Sequence, residues 1–268
     1  MDKPQPQNPS QPLQPIRLNK FLAERLGVSR READELISAG KVTIDGKVAT
    51  LGARISEKLD KPQEVCYNGK IVPFNTEFLY LAFNKPVGYV CSRRAQGDAP
   101  TLYELLPEKY HKLKTVGRLD KDSSGLILLT NDGDFAFQMT HPKFKKEKIY
   151  QVTLDRPLEP LHQQMISDYG VMLDDGPSRF TVITTSTGDG SGGGPPLSLK
   201  RNGGGEEPAG PVERTHFTVI LSEGRNRQIR RTFAALGYRV TALHRTQFGP
   251  YEISGLKPGE FSKIFKVS

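Results

Sequence analysis

The chain has 268 residues, with 38 Lys and Arg against 30 Asp and Glu, a formal charge of +8, two cysteines and no tryptophan. No apolar run approaches the ~18 residues of a membrane span, and the first 15 residues lack the apolar core of a secretory signal, so neither is expected. Cys66 and Cys91 are too few and too far apart for a disulfide framework or a zinc site. We therefore expect a cytoplasmic protein, and its positive charge suggests a polyanionic partner.

Two low-complexity segments divide the chain. Residues 1–15 hold five prolines and four glutamines, and residues 186–213 hold nine glycines and four prolines. Both are predicted to be disordered, because neither can bury enough apolar surface to offset its chain entropy. The remainder is predicted to form a small module, residues 16–75, and a larger domain, residues 76–268.

The charge is distributed unevenly over these parts. Residues 16–75 carry 11 basic and 8 acidic side chains and residues 214–268 carry 10 and 3, whereas residues 76–185 carry 14 of each. This distribution favours two basic binding surfaces around a charge-balanced middle, and a solvated basic face is the alternative.

Residues 16–75 predict two short helices followed by β-hairpins. Apolar residues at 18, 21, 22 and 26 share one helical face, and a capping box from Ser29 to Glu32 begins a second helix that ends at Gly40. Asp45-Gly46 and Asn68-Gly69 each separate short alternating runs, which is typical of hairpin turns.

Basic side chains are frequent in this first module. A helix N-terminus favours phosphate, and the second helix begins with Arg30 and Arg31. Ordinary exposed charges paired with neighbouring acidic residues are the alternative. The order of elements over residues 16–49 closely resembles the ribosomal-protein-S4-like RNA-binding domain. That resemblance implies RNA contacts for five basic residues: Arg17, Lys20, Arg30, Arg31 and Lys41.

The larger domain predicts an α+β fold with a mainly antiparallel mixed sheet and flanking helices. Strand-like runs cover residues 78–83, 126–130, 149–154, 180–183 and 217–221, and residues 160–169 and 226–236 have helical spacing. The strands and helices do not alternate regularly enough for a doubly wound parallel fold.

Common catalytic motifs are absent or misplaced. Glycines at 188, 190 and 193 match a dinucleotide-binding pattern, but they lie in low-complexity sequence without a preceding strand or following helix. Ser123-Ser124-Gly125 lacks the first glycine of a nucleophile elbow, and the five histidines are scattered. We expect no metal and no nucleotide cofactor.

The run VGRLDKDSSGLILLT at residues 116–130 places Asp120 in a turn that leads directly into a buried strand. Functional residues favour loops anchored on rigid elements. A structural turn is the alternative for any aspartate here, and we interpret Asp122, Asp132 and Asp134 in that way. Spacing alone does not separate Asp120 from them.

Four motifs together closely resemble the RsuA-type pseudouridine synthases that act on ribosomal RNA. They are GRLDKDSSGLILLTNDG from residue 117, FNKPVG from residue 83, KEKIYQV from residue 146 and EGRNRQIRR from residue 223. The resemblance covers about 170 residues in the family's order and follows the S4-like module.

The resemblance implies roles for individual positions. Asp120 would be the catalytic aspartate, Tyr150 would pack on the target uracil, and Arg230 would pair with Asp120. Arg118 would lie against the RNA and could fill the gap left by the extruded base. Further RNA contacts are assigned to Arg225, Arg227 and Arg231, and the uracil pocket to Leu243 and Ile229, with plain core packing as the alternative for the last two.

We therefore predict a monomeric enzyme that isomerises uridine to pseudouridine in ribosomal RNA, free or in an assembling subunit, by base flipping and a catalytic aspartate. A noncatalytic RNA-binding protein of ribosome assembly is the alternative. A glycoside hydrolase using Asp120 and Asp122 is disfavoured, since two residues so close in the chain cannot easily flank a sugar.

Overall fold

The computed structural model describes residues 15–56, 63–75, 77–93, 97–184 and 215–267. Apart from Pro15, the two segments predicted to be disordered lie outside these residues. No helix in the described ranges is long and apolar enough to cross a membrane.

The chain divides into two compact units. The first comprises the residues up to Leu79 together with Lys109–Lys114 and Thr130–Gly133. The second comprises Tyr80–Glu108, Thr115–Leu129 and the residues from Asp134 onward.

The first unit consists of two helices and short strands. In chain order these are β1 (Ile16–Arg17), α1 (Leu18–Leu26), α2 (Arg30–Ser38), β2 (Val42–Ile44), β3 (Lys47–Val48), β4 (Arg54–Ile55), β5 (Val65–Tyr67) and β6 (Lys70–Ile71). The strands β3, β2, β5 and β6 form one antiparallel sheet in that order, and β1 pairs with β4. Leu18, Phe21, Leu22, Ala33 and Ile37 from the helices pack together in its core.

Local sequence signals explain this unit. The Ser29 hydroxyl accepts a hydrogen bond from the Glu32 amide, and the Glu32 carboxylate accepts one from the Ser29 amide, so the predicted capping box is confirmed. Asp45 and Asn68 have φ of 49° and 48° and each precedes a glycine with positive φ. These are the left-handed conformations of a tight hairpin turn, so both predicted hairpins are confirmed.

The second unit is built on a large sheet. Its elements in chain order are β7 (Tyr80–Lys85), β8 (Lys114–Val116), β9 (Ser124–Thr130), α3 (Gly133–Thr140), β10 (Lys148–Leu154), α4 (Pro160–Gln164), β11 (Val171–Leu173), β12 (Gly176–Ser178), β13 (Thr181–Thr184), β14 (His216–Leu221), α5 (Gln228–Ala235), β15 (Val240–Phe248), β16 (Tyr251–Glu252) and β17 (Phe261–Lys263). Three of these elements (β8, β9 and α3) have one end residue each, Lys114, Thr130 and Gly133, in the first unit. The predicted helix over residues 160–169 is α4 followed by a π-helical turn, Met165–Tyr169.

The central sheet has the order β13-β14-β10-β15-β9-β7-β17, with β16 paired to β15 and β8 to β9. The pairs β13–β14, β14–β10, β10–β15 and β7–β17 are antiparallel, and β9–β15 is parallel. The predicted α+β class with a mainly antiparallel mixed sheet is confirmed. Because β10, β15 and β9 are neighbours, residues far apart in sequence meet at the centre of this sheet.

Candidate active site

Hydrogen bonds hold the loop between β8 and β9, which carries Asp120, on both sides of that residue. The Cys91 thiol donates to the Leu119 carbonyl and accepts from the Leu119 amide, each at 3.3 Å. On the other side, the Lys85 ammonium donates to the Ser123 carbonyl at 2.7 Å. The backbone at Asp120 is therefore fixed from two directions.

Burial shifts the pKa of both supporting side chains. Lys85 on β7 is fully buried, and burial lowers its pKa, while the nearby Cys91, Asp120 and Asp122 act in the opposite direction. Burial also raises the pKa of the Cys91 thiol, so this side chain keeps the proton that it donates to the Leu119 carbonyl.

The Asp120 carboxylate faces Arg227 rather than Arg230. Its Oδ2 atom lies 3.5 Å from Arg227 Nη1, and the side chain remains 31% exposed. The same guanidinium binds Asp122 with two hydrogen bonds of 3.0 Å, and these bonds lower the pKa of the Asp122 carboxyl. Asp122 therefore holds Arg227 in place beside Asp120.

In this structure the ion-pair contact of Arg230 is with Asp122 and its charge interaction with Asp120 acts at longer range, so the pairing of Arg230 with Asp120 stays a prediction. Arg230 Nε lies 3.3 Å from the Asp122 carboxylate, and its Nη atoms donate to the carbonyls of Asp122 and Val240 at 2.8 Å. Arg227 immediately precedes α5 in a left-handed conformation and Arg230 lies in its first turn, so both guanidinium groups reach the same loop from the start of this helix. Asp122, interpreted from the sequence as a turn former, therefore also binds two arginines, and Arg227, predicted to contact RNA, is 43% exposed and paired with Asp122.

Asp120 lines a cleft of about 400 Å³, a volume typical of small-ligand sites. Tyr150 on β10 and Leu243 on the neighbouring strand β15 line the same cleft, and each is 7% exposed. Arg118 and Ile229 also line this cleft. Five of the predicted site residues therefore line one cleft: Asp120, Tyr150, Arg118, Leu243 and Ile229. Arg230 is not among the residues that line it and contacts Asp122 instead.

Two buried cations of the cleft were given no role from the sequence, although Arg245 stands with Leu243 in a segment that resembles the family. Lys148 lies two residues before Tyr150 on β10, and Arg245 lies two residues after Leu243 on β15. Since side chains alternate along a strand, the positions of Tyr150 and Leu243 would have located both.

Arg245 is 2% exposed and donates from Nε to the Leu126 carbonyl at 2.7 Å. Its Nη1 lies 3.5 Å from the Tyr150 hydroxyl, and its guanidinium carbon lies 4.9 Å from the Phe248 ring centroid. Its Nη2 atom is buried and has no hydrogen-bond partner among the described residues. The cleft therefore contains a donor that could serve a bound ligand.

The Lys148 ammonium donates to the carbonyls of Lys146, Ser222 and Glu223, at 3.0, 3.4 and 3.4 Å. Burial lowers its pKa to about 8, helped by the positive charge of Arg245 and opposed by Glu223. In the described part of the chain, no group of three or more His, Cys, Asp or Glu side chains is placed to hold a metal ion.

Comparison with protein families identifies both parts of the chain. Residues 79–235 match the family model described as RNA pseudouridylate synthase. The chain belongs to this family. Residues 16–59 match the model of the S4 domain, so both resemblances seen in the sequence are confirmed.

Relatives of known name cover nearly the whole chain. It is 36% identical over 250 residues to a ribosomal small subunit pseudouridine synthase A from Yersinia pestis, covering 93% of this chain and 94% of that one. It is 31% identical over 254 residues to a ribosomal large subunit pseudouridine synthase B from Salmonella typhi, covering 92% and 79%. A crystal structure of a pseudouridylate synthase aligns with a TM-score of 0.59 at 29% identity, covering 93% of this chain and 96% of that one.

In this pseudouridylate synthase the basic residues predicted to contact RNA occur in both units. Arg30 and Arg31 are exposed in the first turn of α2, and Arg17 and Lys41 are exposed on or beside strands, whereas Lys20 on α1 is partly buried. Their contact with RNA stays a prediction.

The basic residues of the late arginine motif are already paired with acidic groups. Arg225 and Arg231 both bind Asp175 in the β11–β12 turn, at 3.0 and 2.7 Å, and Arg225 also lies 3.6 Å from Glu223. Arg225 lines the cleft, as Arg227 does. RNA phosphate would have to compete with Asp175 for both guanidinium groups.

Proposed function

We propose that this protein converts specific uridines of ribosomal RNA to pseudouridine, with Asp120 as the catalytic carboxylate. The proposal depends chiefly on one observation, that Asp120 and Tyr150 line the same cleft in a chain of the RNA pseudouridylate synthase family. The named relatives act on ribosomal subunits, and the S4 match supports RNA binding.

Substrate entry requires base flipping, because the glycosidic bond of a stacked uridine cannot be reached. An extruded uracil would pack against the Tyr150 ring, with Leu243 and Ile229 on the apolar walls of the cleft. The unpartnered Nη2 of Arg245 would donate to a uracil carbonyl and so favour a base with an acceptor at that point. Arg118 at the cleft wall would contact the RNA.

The isomerisation breaks the bond between uracil N1 and ribose C1′, turns the base and forms a bond from C5 to C1′. The C5 proton is lost and N1 gains one, so the product is an isomer and no redox change or cofactor is required. Asp120 could attack C1′, add to the uracil ring or remove a ribose proton. Each role needs the carboxylate directed at the substrate, and the Arg227 guanidinium 3.5 Å away would help to orient it.

We further propose that the protein acts as a cytoplasmic monomer, in which residues 16–75 hold the RNA and residues 76–268 perform the reaction. The two basic ends of the chain support this division, and both cysteines are free thiols, as a reducing compartment allows. The substrate would be either free ribosomal RNA or a subunit during assembly.

The test compares Asp120→Asn with Asp168→Asn, a change of an exposed aspartate in the π-helical turn. Ribosomal RNA labelled with tritium at C5 of uridine reports isomerisation by tritium release. Asp120→Asn should lower release at least about a thousandfold while leaving RNA affinity nearly unchanged, and Asp168→Asn should match the wild type. Normal release by Asp120→Asn would refute the proposal and favour the noncatalytic RNA-binding alternative. Using small-subunit and large-subunit precursors as separate substrates would identify the target.

A further inference from the structure

Three exposed aromatic rings lie in α3 and in the segment that follows it. Phe137 is 45% exposed and Phe144 is 37% exposed, and His141 between them is exposed as well. The ring centroids of Phe137 and His141 are 4.6 Å apart, and those of Phe137 and Phe144 are 5.8 Å apart in a T-shaped arrangement. We call Phe137, His141 and Phe144 the aromatic patch.

Core packing does not account for the aromatic patch. Phe135 and Met139 of the same helix are 2% and 4% exposed and join the core beneath the sheet with Leu126 and Leu128. Phe137 alternates with them and points away from that core. Exposed apolar surface of this kind commonly marks an interaction site.

One cationic side chain lies against two of the rings. Lys143 Nζ lies 5.2 Å from the Phe137 ring centroid and 4.6 Å from that of Phe144, and exposed Lys145 comes next after Phe144 in the chain. Aromatic faces next to ammonium groups are the combination that binds single-stranded nucleic acid, because bases stack on the rings and phosphates pair with the cations.

The aromatic patch is held in one arrangement by local hydrogen bonds. The His141 ring accepts from the Lys143 amide at 3.3 Å, and the Phe144 amide donates to the His141 carbonyl at 3.1 Å. The Thr140 hydroxyl donates to the Ala136 carbonyl at 2.7 Å. Little ordering would therefore be needed when a ligand binds.

The aromatic patch adjoins the cleft along the chain. Thr140 and Pro142, which alternate with His141 along the chain, line the same cleft as Asp120 and Tyr150. A nucleotide strand that delivers its base to Asp120 would therefore leave the cleft beside these rings.

We propose that the aromatic patch is a stacking platform for the unpaired nucleobases adjoining the flipped uridine, with Lys143 holding their phosphates. This proposal rests on the proposed function and deepens it, since it specifies single-stranded flanking nucleotides as part of the recognised substrate. Extruding the target removes a stacking partner from its neighbours, and the exposed rings replace that partner. The cations favour RNA over an apolar protein segment as the occupant.

The test measures RNA affinity by fluorescence anisotropy, which does not depend on turnover. The double variant Phe137→Ala, Phe144→Ala is compared with Tyr169→Ala, which removes a 78% exposed aromatic ring elsewhere in the unit. Each protein binds a loop oligonucleotide with intact neighbours of the target uridine and one in which those neighbours are abasic. The platform predicts about tenfold weaker binding of the intact RNA by the double variant, no further loss on the abasic RNA, and wild-type affinity for Tyr169→Ala.

Equal affinities of the double variant and Tyr169→Ala for intact RNA would overturn the platform, as would equal losses on intact and abasic RNA. Unchanged RNA binding together with loss of a specific protein partner would assign the aromatic patch to protein docking instead. Tritium release is measured separately. If the wild-type protein binds RNA without releasing tritium, the proposed function is contradicted. The two affinity comparisons would still show whether the aromatic patch stacks on nucleobases.

Discussion

Replacing Gly125 by alanine tests how closely β9 and β15 approach next to the candidate active site. Gly125 has φ of 106° and pairs with Arg245 across the parallel strands. A Cβ atom at this position would lie 2.5 Å from the Arg245 nitrogen and 2.8 Å from its carbonyl carbon, and it would contact the carbonyl oxygen even more closely. These are backbone atoms of a neighbouring strand, so no side-chain rotation relieves the overlap.

The expected cost has two parts. An alanine with this positive φ is strained by about 1–2 kcal/mol. Separating the strands by roughly 1 Å would also weaken the β9–β15 pairing and the bond from Arg245 to the Leu126 carbonyl, for a total of about 4 kcal/mol or more. In a unit of this size that corresponds to a fall in Tm of roughly 8–16 °C. Activity should fall as well, because Asp120 lies on the loop leading into β9 and Arg245 lines the cleft.

Gly255→Ala is the matched control. Gly255 has φ of 79°, but none of the described atoms beyond its chain neighbours lies within 4 Å of its added Cβ, so only the backbone strain remains. We expect a Tm decrease of roughly 2–8 °C and normal tritium release. Similar Tm values for Gly125→Ala and Gly255→Ala, with activity retained in both, would show that the strands are not fixed at the distance described.

Two further predictions concern the cations of the site. Arg227→Lys should lower turnover by about tenfold, because Arg227 contacts Asp120. Arg230→Lys should mainly lower Tm, because it loses two hydrogen bonds to backbone carbonyls. The opposite pattern would favour Arg230 as the partner of Asp120. The pKa of Lys148 in the folded protein is about 8, below the ordinary 10.5. Keeping this side chain charged in the folded protein therefore lowers the free energy of unfolding by roughly 3 kcal/mol below pH 8, and this cost disappears as pH rises towards 10.5. Calorimetry between pH 7 and 10 should therefore show the stability advantage of Lys148→Met shrinking with pH, and a constant difference would indicate a normal lysine pKa.

Local features of the fold were predictable because neighbouring residues determine them. The Asp45-Gly46 and Asn68-Gly69 turns and the Ser29 capping box each depend on two to four consecutive residues, and all three are present. The pairing of α5 with the loop that carries Asp120 was not predictable in this way. Arg227 precedes the helix in a left-handed conformation, and the choice of Asp120 or Asp122 as partner depends on how the loop meets a helix more than 100 residues later.

The two aspartates of the loop have different surroundings, and this difference bears on reactivity. Asp122 binds Arg227 with two hydrogen bonds and Arg230 with an ion pair, so its carboxylate has little freedom to react. Asp120 shares Arg227 through a single longer contact of 3.5 Å. A carboxylate that attacks carbon or accepts a proton needs an oxygen lone pair that is not already occupied by a strong donor. Asp122 is held by both arginines, whereas Asp120 has one longer contact and stays accessible at the wall of the cleft.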